Sequence, residues 1–336
     1  MFSRSRFVLA SFVLPISLLT ACGSGDEPDA PPASSGAASA STSGSASPAA
    51  SAVKGVADAS VKGGFGVKPV VTVADKPAPS QLSEQVITSG SGDTVAKGDT
   101  LVANYSGQTW APKDGKVKVF DSSFDRGAPA AFVIGAGAVI PGWDKTLVGK
   151  RLGSRVLLSI PPADGYGAQG QPQAGIAGTD TLVFVVDLIA TYKPNASAPG
   201  TAVTRLPAGL PKITNVAAKA PTVISTAGVK LGKKPAATLL VTGSGAKIDP
   251  AKTLVLQVVQ TDAATGKNTQ STWGKAPQTV AARNVLTVAS VLNGRNIGSR
   301  ALILVPAIAA KPASGGQQAQ PASPAQILIV DVVGQF

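Results

Sequence analysis

The second half of this chain repeats the first, and that limits it to folds that can be built twice in tandem. Gly149-Lys-Arg-Leu-Gly-Ser-Arg-Val-Leu-Leu-Ser-Ile-Pro161 aligns with Gly294-Arg-Asn-Ile-Gly-Ser-Arg-Ala-Leu-Ile-Leu-Val-Pro306. Upstream, Gly90-Ser-Gly92 and Thr100-Leu-Val102 match Gly243-Ser-Gly245 and Thr253-Leu-Val255. Each copy closes on an apolar run with one acid, ending at Asp187 and at Asp331. Order and spacing are kept, apart from a shorter middle in the second copy. Solenoid repeats are far shorter, roughly 20–45 residues. Two long copies in 336 residues therefore read as two globular domains.

Within each copy the strand signals dominate. Leu101 to Tyr105, Arg155 to Ile160 and Thr181 to Ile189 are short, rich in β-branched residues and bounded by Gly, Pro or Asp. Asp144 to Val148, after Gly142-Trp143, is the helix candidate, and Gly149 is its stop signal. The sum is α+β, an antiparallel sheet with one short helix. Lys193 to about Ala208, with three prolines, reads as the linker (193–208) between one copy of this unit at 61–192 and a second at 209–336. The chain has no histidine and a single cysteine. Histidine triads, histidine bases, thiolate metal clusters and intramolecular disulfides are thereby excluded, and no cofactor or metal is expected.

The single cysteine has a specific place. Arg4 and Arg6 precede an apolar stretch from Phe7 to Leu19, too short to cross a bilayer, which takes about 20 apolar residues. It ends in Leu19-Thr20-Ala21-Cys22, similar to the lipobox of bacterial lipoproteins, in which the cysteine is acylated and becomes the mature N-terminus. Residues 1–21 are then a signal peptide and Cys22 the lipidation site. The alternative is an ordinary signal peptide with a chance cysteine. Residues 22–60 are mostly Ala, Ser, Gly, Pro and Thr at their start, a tether that cannot bury a core. The expected location is the outer face of the cytoplasmic membrane, with the lipid bilayer as one partner through acylated Cys22. A net charge of +12 often points to nucleic acid. Export argues against that partner, and leaves anionic lipid headgroups, wall polymers or simple solubility as readings of the basic surface.

The first copy concentrates the aromatics of an aromatic-poor chain. They fall in stereotyped settings: Val119-Phe120-Asp121-Ser-Ser, Phe132-Val-Ile-Gly135, Val139-Ile140-Pro-Gly-Trp143, Gly165-Tyr166-Gly167 and Leu182-Val-Phe184, with Tyr105 upstream. From Leu82 to Tyr192 this order resembles FKBP-type peptidyl-prolyl cis-trans isomerases. The resemblance implies two tandem FKBP-like domains, each a bent antiparallel β-sheet wrapped around one short helix. It implies a proline pocket with Trp143 as floor and Tyr105, Phe120, Phe132, Val139, Ile140 and Phe184 as walls. Asp121, Tyr166 and the backbone of Ile140 are implied to contact the substrate backbone, Ile176 to sit on a flap, and Arg126 to support Asp121 and Tyr105. Ala130 stands where many members have another aromatic, which opens that side, so affinity for macrolide inhibitors is not implied.

The second copy has lost this equipment. Beyond Lys193 only Trp273 and Phe336 are aromatic. The position of Tyr105 becomes Val258, Trp143 aligns near Val288 and Phe184 near Leu328. Ser271-Thr-Trp273 falls near the slot of Phe120-Asp121, or Trp273 is only a core anchor. The second copy therefore reads as a degenerate, inactive scaffold. Three functions stay open: an isomerase assisting the folding of proline-containing exported polypeptides, a non-catalytic binding module or chaperone for proline segments, and a structural envelope protein.

Overall fold

The computed structural model describes residues 56–111, 118–216, 219–310 and 322–336. The expected signal peptide, Cys22 and the expected tether up to residue 55 lie outside the described residues.

The first domain opens with a hairpin, β1 (Ala59–Lys62) and β2 (Val70–Val73). The strands β3 (Ser83–Thr88), β4 (Thr100–Thr109), β5 (Val119–Ser122), β6 (Ala130–Val133), β7 (Arg155–Ile160) and β8 (Leu182–Tyr192) form one antiparallel sheet. Its order is β3-β7-β8-β4-β5, with β6 also paired to β4. A single turn of helix, α1 (Ser123–Arg126), follows β5, and α2 (Pro141–Leu147) precedes β7. The helix starts three residues before the expected position because Pro141 occupies its first turn, where a missing N–H costs nothing. At Gly142 the helix comes so close to β7 that a Cβ would lie 2.7 Å from the Ile160 side chain. Trp143 and Leu147 of α2 pack with Leu101, Tyr105, Val156, Leu158, Phe184 and Val186 in the core of the inner face.

The outer face of the same sheet is also covered. Val71 of β2, with Val56, packs on Leu157, Val183, Val185 and Trp110. That explains why β7 and the first seven residues of β8 are buried throughout instead of alternating. The hairpin is held by a fully buried ion pair. Arg155 forks onto Asp187, with Nε 2.6 Å from Oδ1 and Nη2 2.7 Å from Oδ2. Its remaining N–H groups reach the Gly63 and Val67 carbonyls at the hairpin tip, and Asp187 accepts the Gly66 N–H at 2.7 Å.

The second domain repeats this plan. A hairpin, β10 (Lys212–Thr214) and β11 (Thr222–Ser225), precedes β12 (Ala236–Thr242), β13 (Thr253–Asp262), β14 (Asn268–Ser271), β15 (Gln278–Ala281), α3 (Ala282–Val288), β16 (Arg300–Val305) and β17 (Gln326–Gln335). The sheet order, β12-β16-β17-β13-β14 with β15 on β13, matches the first strand for strand. Arg300 forks onto Asp331 and donates to the carbonyls of Asn215, Val216 and Lys219 in the second hairpin. The duplicated unit thus includes the hairpin.

Two expected boundaries are corrected. The tether does not reach residue 60, because Val56 is 3% exposed in the outer-face core and β1 begins at Ala59. Nor are residues 193–208 a free linker. Within them β9 (Thr201–Ala202) pairs with β12, Ala198 is buried and donates its N–H to Asp331, and the Pro194 carbonyl accepts Gln257 Nε2. Short polar stretches with proline look like linkers in a sequence, but here their backbone groups are taken up by the neighbouring sheet.

Removing one partner of a buried ion pair strands the other, at a cost of about 3–5 kcal/mol. Arg155→Met is expected to lower the unfolding free energy of the full chain by that amount, read as a lower urea midpoint. Arg155→Met with Asp187→Leu is expected to recover part of the loss. An unchanged midpoint for the single variant would contradict the role given to the pair.

Candidate active site

The cavity lies between the inner face of the first sheet, α2 and the loops beyond β7. Its volume is about 330 Å³, and its lining comprises Tyr105, Phe120, Asp121, Phe132, Val139, Ile140, Trp143, Tyr166, Gln171, Ala174 and Phe184. Nine of the ten expected site residues of the fold are therefore brought together at one place.

Each arrives by a separate route. Tyr105 and Phe184 lie on the adjacent strands β4 and β8, and Phe132 on β6. Trp143 is carried by α2, 3% exposed, and its ring meets three others edge-on. The centroids are 5.5 Å away at Tyr105, 4.9 Å at Phe132 and 5.3 Å at Phe184. Phe120 meets Phe184 at 5.5 Å. That last pair depends on Gly107, where a Cβ would lie 2.5 Å from Phe184 and 2.8 Å from Phe120. Such edge-to-face pairs fix ring positions as well as bury area. Trp143 Nε1 has no hydrogen-bond partner within the protein, as befits an indole surrounded by rings.

The polar groups form one cluster at the rim. Tyr105 Oη donates to Asp121 Oδ2 at 2.5 Å, and Arg126 Nη2 donates to Tyr105 Oη at 2.6 Å. Arg126 also pairs with Asp121 and lies 5.3 Å from the Tyr105 ring centre. Burial, then the bond to Asp121, pushes the Tyr105 hydroxyl up to about 12. Burial, and secondarily the charge of Asp121, raises Tyr166 as well. Both phenols stay protonated through the physiological range and can donate hydrogen bonds. Tyr166 itself is 39% exposed, placed between two short 3-10 turns at the cavity mouth.

The lip opposite is the loop of residues 134–140. Asp144 of α2 accepts the N–H groups of Gly135 at 2.6 Å and Gly137 at 2.7 Å, which pins this loop to the helix. Ile140 is the residue before the helix, so its N–H precedes the helical ladder and faces no helical acceptor. Asp144 was not singled out from the sequence. An acid in the first turn of a helix is ordinary there, and its partners are loop N–H groups that leave no side-chain pattern.

Ile176 is the exception among the expected site residues. It does not line the cavity but is 2% exposed in the inner core. A two-way backbone bridge between Gln171 and Ile176 closes the flap, and Gln171 and Ala174 form its cavity side. Ala130 is also absent from the lining, consistent with a wall that lacks an aromatic at that position.

Among its described residues the second domain has no counterpart of these rings except aliphatic side chains. Strand register confirms the expected pairs: Val258 faces Val330 as Tyr105 faces Val186, and Leu328 faces Ile303 as Phe184 faces Leu158. The shortened middle removes the lip. Ala281 of β15 runs directly into α3, whereas residues 134–140 intervene between β6 and α2. Trp273 is corrected. The N–H of Val258 bonds Thr272 Oγ1 as that of Tyr105 bonds Ser123 Oγ, so Gln270 takes the place of Asp121 and Trp273 that of Phe124. Trp273 packs with the outer-face core, 5.9 Å from the Arg300 guanidinium.

Comparison with known proteins finds relatives over the first domain. The family model for FKBP-type peptidyl-prolyl cis-trans isomerases matches residues 92–189. An FK506-binding protein of Streptomyces anulatus is 37% identical over 123 residues, covering 37% of this chain and 96% of that protein. The peptidyl-prolyl cis-trans isomerase FKBP15-2 of Arabidopsis thaliana is 48% identical over 100 residues, covering 30% of this chain and 58% of that protein. The crystal structure of AtFKBP13 is 34% identical, with a TM-score of 0.29, and the match covers 34% of this chain and 96% of that one. The chain belongs to the FKBP-type peptidyl-prolyl cis-trans isomerase family.

Proposed function

We propose that the first domain catalyses cis-trans isomerisation of X-Pro bonds in exported polypeptides, and that Cys22 anchors it by acylation to the outer face of the cytoplasmic membrane. The second domain, on this reading, kept the scaffold and lost the site. The observation that carries the catalytic reading is the ring-lined cavity, in whose lining Asp121 at the rim is the one charged residue.

Amide resonance sets a barrier of about 18–20 kcal/mol to rotation about the X-Pro bond. Rotation through 90° abolishes that resonance and leaves a less polar amide. A cavity walled by Phe120, Phe132, Trp143 and Phe184 offers the planar, polarised amide less than water does. It disfavours the twisted amide less. The same walls take up the proline ring. The Tyr166 hydroxyl and the Ile140 N–H hold carbonyls of the flanking peptide, and the Tyr105–Asp121–Arg126 cluster fixes the rim against which it lies. Binding that favours the twisted state over both planar states is catalysis. No proton or covalent bond is transferred. Unaided isomerisation takes tens to hundreds of seconds, long enough to limit folding outside the cell membrane.

The test is a protease-coupled or fluorescence assay of proline tetrapeptides with the full chain. Tyr166→Phe is expected to lower kcat/KM by the value of one hydrogen bond, about 0.5–1.5 kcal/mol, which is a few-fold to roughly tenfold. Phe184→Leu, which keeps bulk but removes a ring, is expected to lower turnover while the unfolding midpoint stays within about 1.5 kcal/mol. Full activity in both variants would contradict this site.

The pH profile is a second check. The chain has no histidine, the side chain that ordinarily titrates near neutrality, and both cavity tyrosines are shifted upward. The rate is expected to be flat between about pH 6 and 8. A bell-shaped profile in folded protein would require acid–base chemistry and overturn the account.

The lipobox supports the anchor. Two acyl chains hold a protein stably where one is marginal. Cys22→Ser is expected to move the protein from the membrane fraction to the soluble fraction after a high-salt wash. Retention of the variant would rule the anchor out.

A further inference from the structure

The charge of this protein is divided as unevenly as its aromatics. Residues 1–192 carry 15 Lys and Arg against 15 Asp and Glu, whereas residues 193–336 carry 15 against 3. The whole excess of +12 therefore belongs to the second copy and the segment leading into it.

In the first domain the cations meet carboxylates. Lys68 pairs with Asp125, Lys76 with Asp58, Arg126 with Asp121, Lys145 with Asp164 and Lys150 with Glu84. In the second domain the three acids are occupied locally. Asp331 is buried with Arg300. Asp262 caps its own turn, accepting the N–H groups of Ala264 and Thr265 and the Thr265 hydroxyl. Asp249 accepts the N–H of Ala251.

Seven of the exposed cations stand at the two ends of the sheet. At the end where β13 begins, Lys247 bridges to Asn296 and the Arg295 carbonyl accepts the Ile248 N–H at 2.8 Å, which places Lys247, Lys252 and Arg295 together. Asp249 is the one acid among them. At the far end, the Lys267 carbonyl accepts the Asp262 N–H, and Gly266 lies beside Thr226 in the turn that leads to Lys230, Lys233 and Lys234. All of these lysines and Arg295 are exposed. The ten residues of β13 separate the two clusters by about 30 Å.

We infer that the second domain is a binding module for a linear, phosphate-bearing polyanion, which runs along the domain from one cluster to the other. A small anion would need one cluster only. A flat bilayer meets two clusters at opposite ends only if the domain lies on its flank. A flexible chain of phosphates tracks both. Such a module would hold the isomerase domain in a layer rich in this polymer, independently of the pocket.

The test uses the full-length chain carrying Cys22→Ser, so that no acyl chain contributes, and inorganic polyphosphate as the probe. Binding is measured by titration calorimetry at low and at moderate salt. Polyphosphate is expected to bind and to weaken steeply with salt, since charge contacts release counterions. Lys247→Gln/Lys252→Gln/Arg295→Gln and, separately, Lys230→Gln/Lys267→Gln should each weaken binding by at least about fivefold and flatten the salt dependence. Tetrapeptide isomerisation and thermal midpoints should be unchanged in both. Lys76→Gln in the first domain should leave binding as it was. Polyphosphate binding that is absent, or indifferent to both sets of second-domain variants, would overturn the inference. So would tighter binding to phosphatidylglycerol vesicles than to polyphosphate with sensitivity to one cluster alone, which would assign the charge to a membrane surface.

Discussion

A guanidinium buried against a carboxylate holds each half of this molecule together. Arg155 with Asp187, and Arg300 with Asp331, lie at the centre of their sheets with no solvent access to speak of. A charge so placed is tolerable only if every hydrogen-bonding group is matched. The matching comes from backbone carbonyls of the preceding hairpin, so the hairpin has one place to go. Once seated it covers the outer face, and the helix covers the inner one. The central strands then lie between two cores, and both arrangements were copied in the duplication.

The rigidity of that frame gives the cavity its meaning. Its wall rings come from β4, β5, β6, β8 and α2, and its lip is pinned by two hydrogen bonds to Asp144. A pocket that works by excluding water from a twisting amide needs walls that do not yield, and needs polar groups only where the substrate backbone must be held. The second copy shows which parts are separable. Valine and leucine replace the rings at no cost to the sheet, and the loop from residue 134 to 140 has no counterpart, yet the buried ion pair and its hairpin persist.

Much of this was legible in the residue order. The duplication, the strands of the second half of each copy and the ring positions follow from patterns that repeat or that stand out in an aromatic-poor chain. What was not legible depends on backbone geometry. The hairpins carry alternating, half-exposed residues that look like ordinary loop, and their partner is a guanidinium about ninety positions away. Ile176 lies on the flap as expected, but aliphatic residues look alike on either side of a flap, and only the Gln171–Ile176 bridge decides which faces the cavity. For Trp273 the alignment left two readings, near the slot of Phe120-Asp121 or a core anchor, and the second is the one the packing bears out. The register of Thr272 against Val258 moves Trp273 to the other face.

The central claim is that the first domain turns X-Pro bonds over, and does not merely grip them. Exchange spectroscopy on an X-Pro tetrapeptide at equilibrium tests it most directly, because it sees interconversion and binding at once. With the full chain present, cross-peaks between cis and trans proline signals are expected within about a second, against tens of seconds or more for the unaided peptide. Shifted peptide signals without such cross-peaks would show a pocket that binds proline and leaves its barrier intact, and would contradict the account.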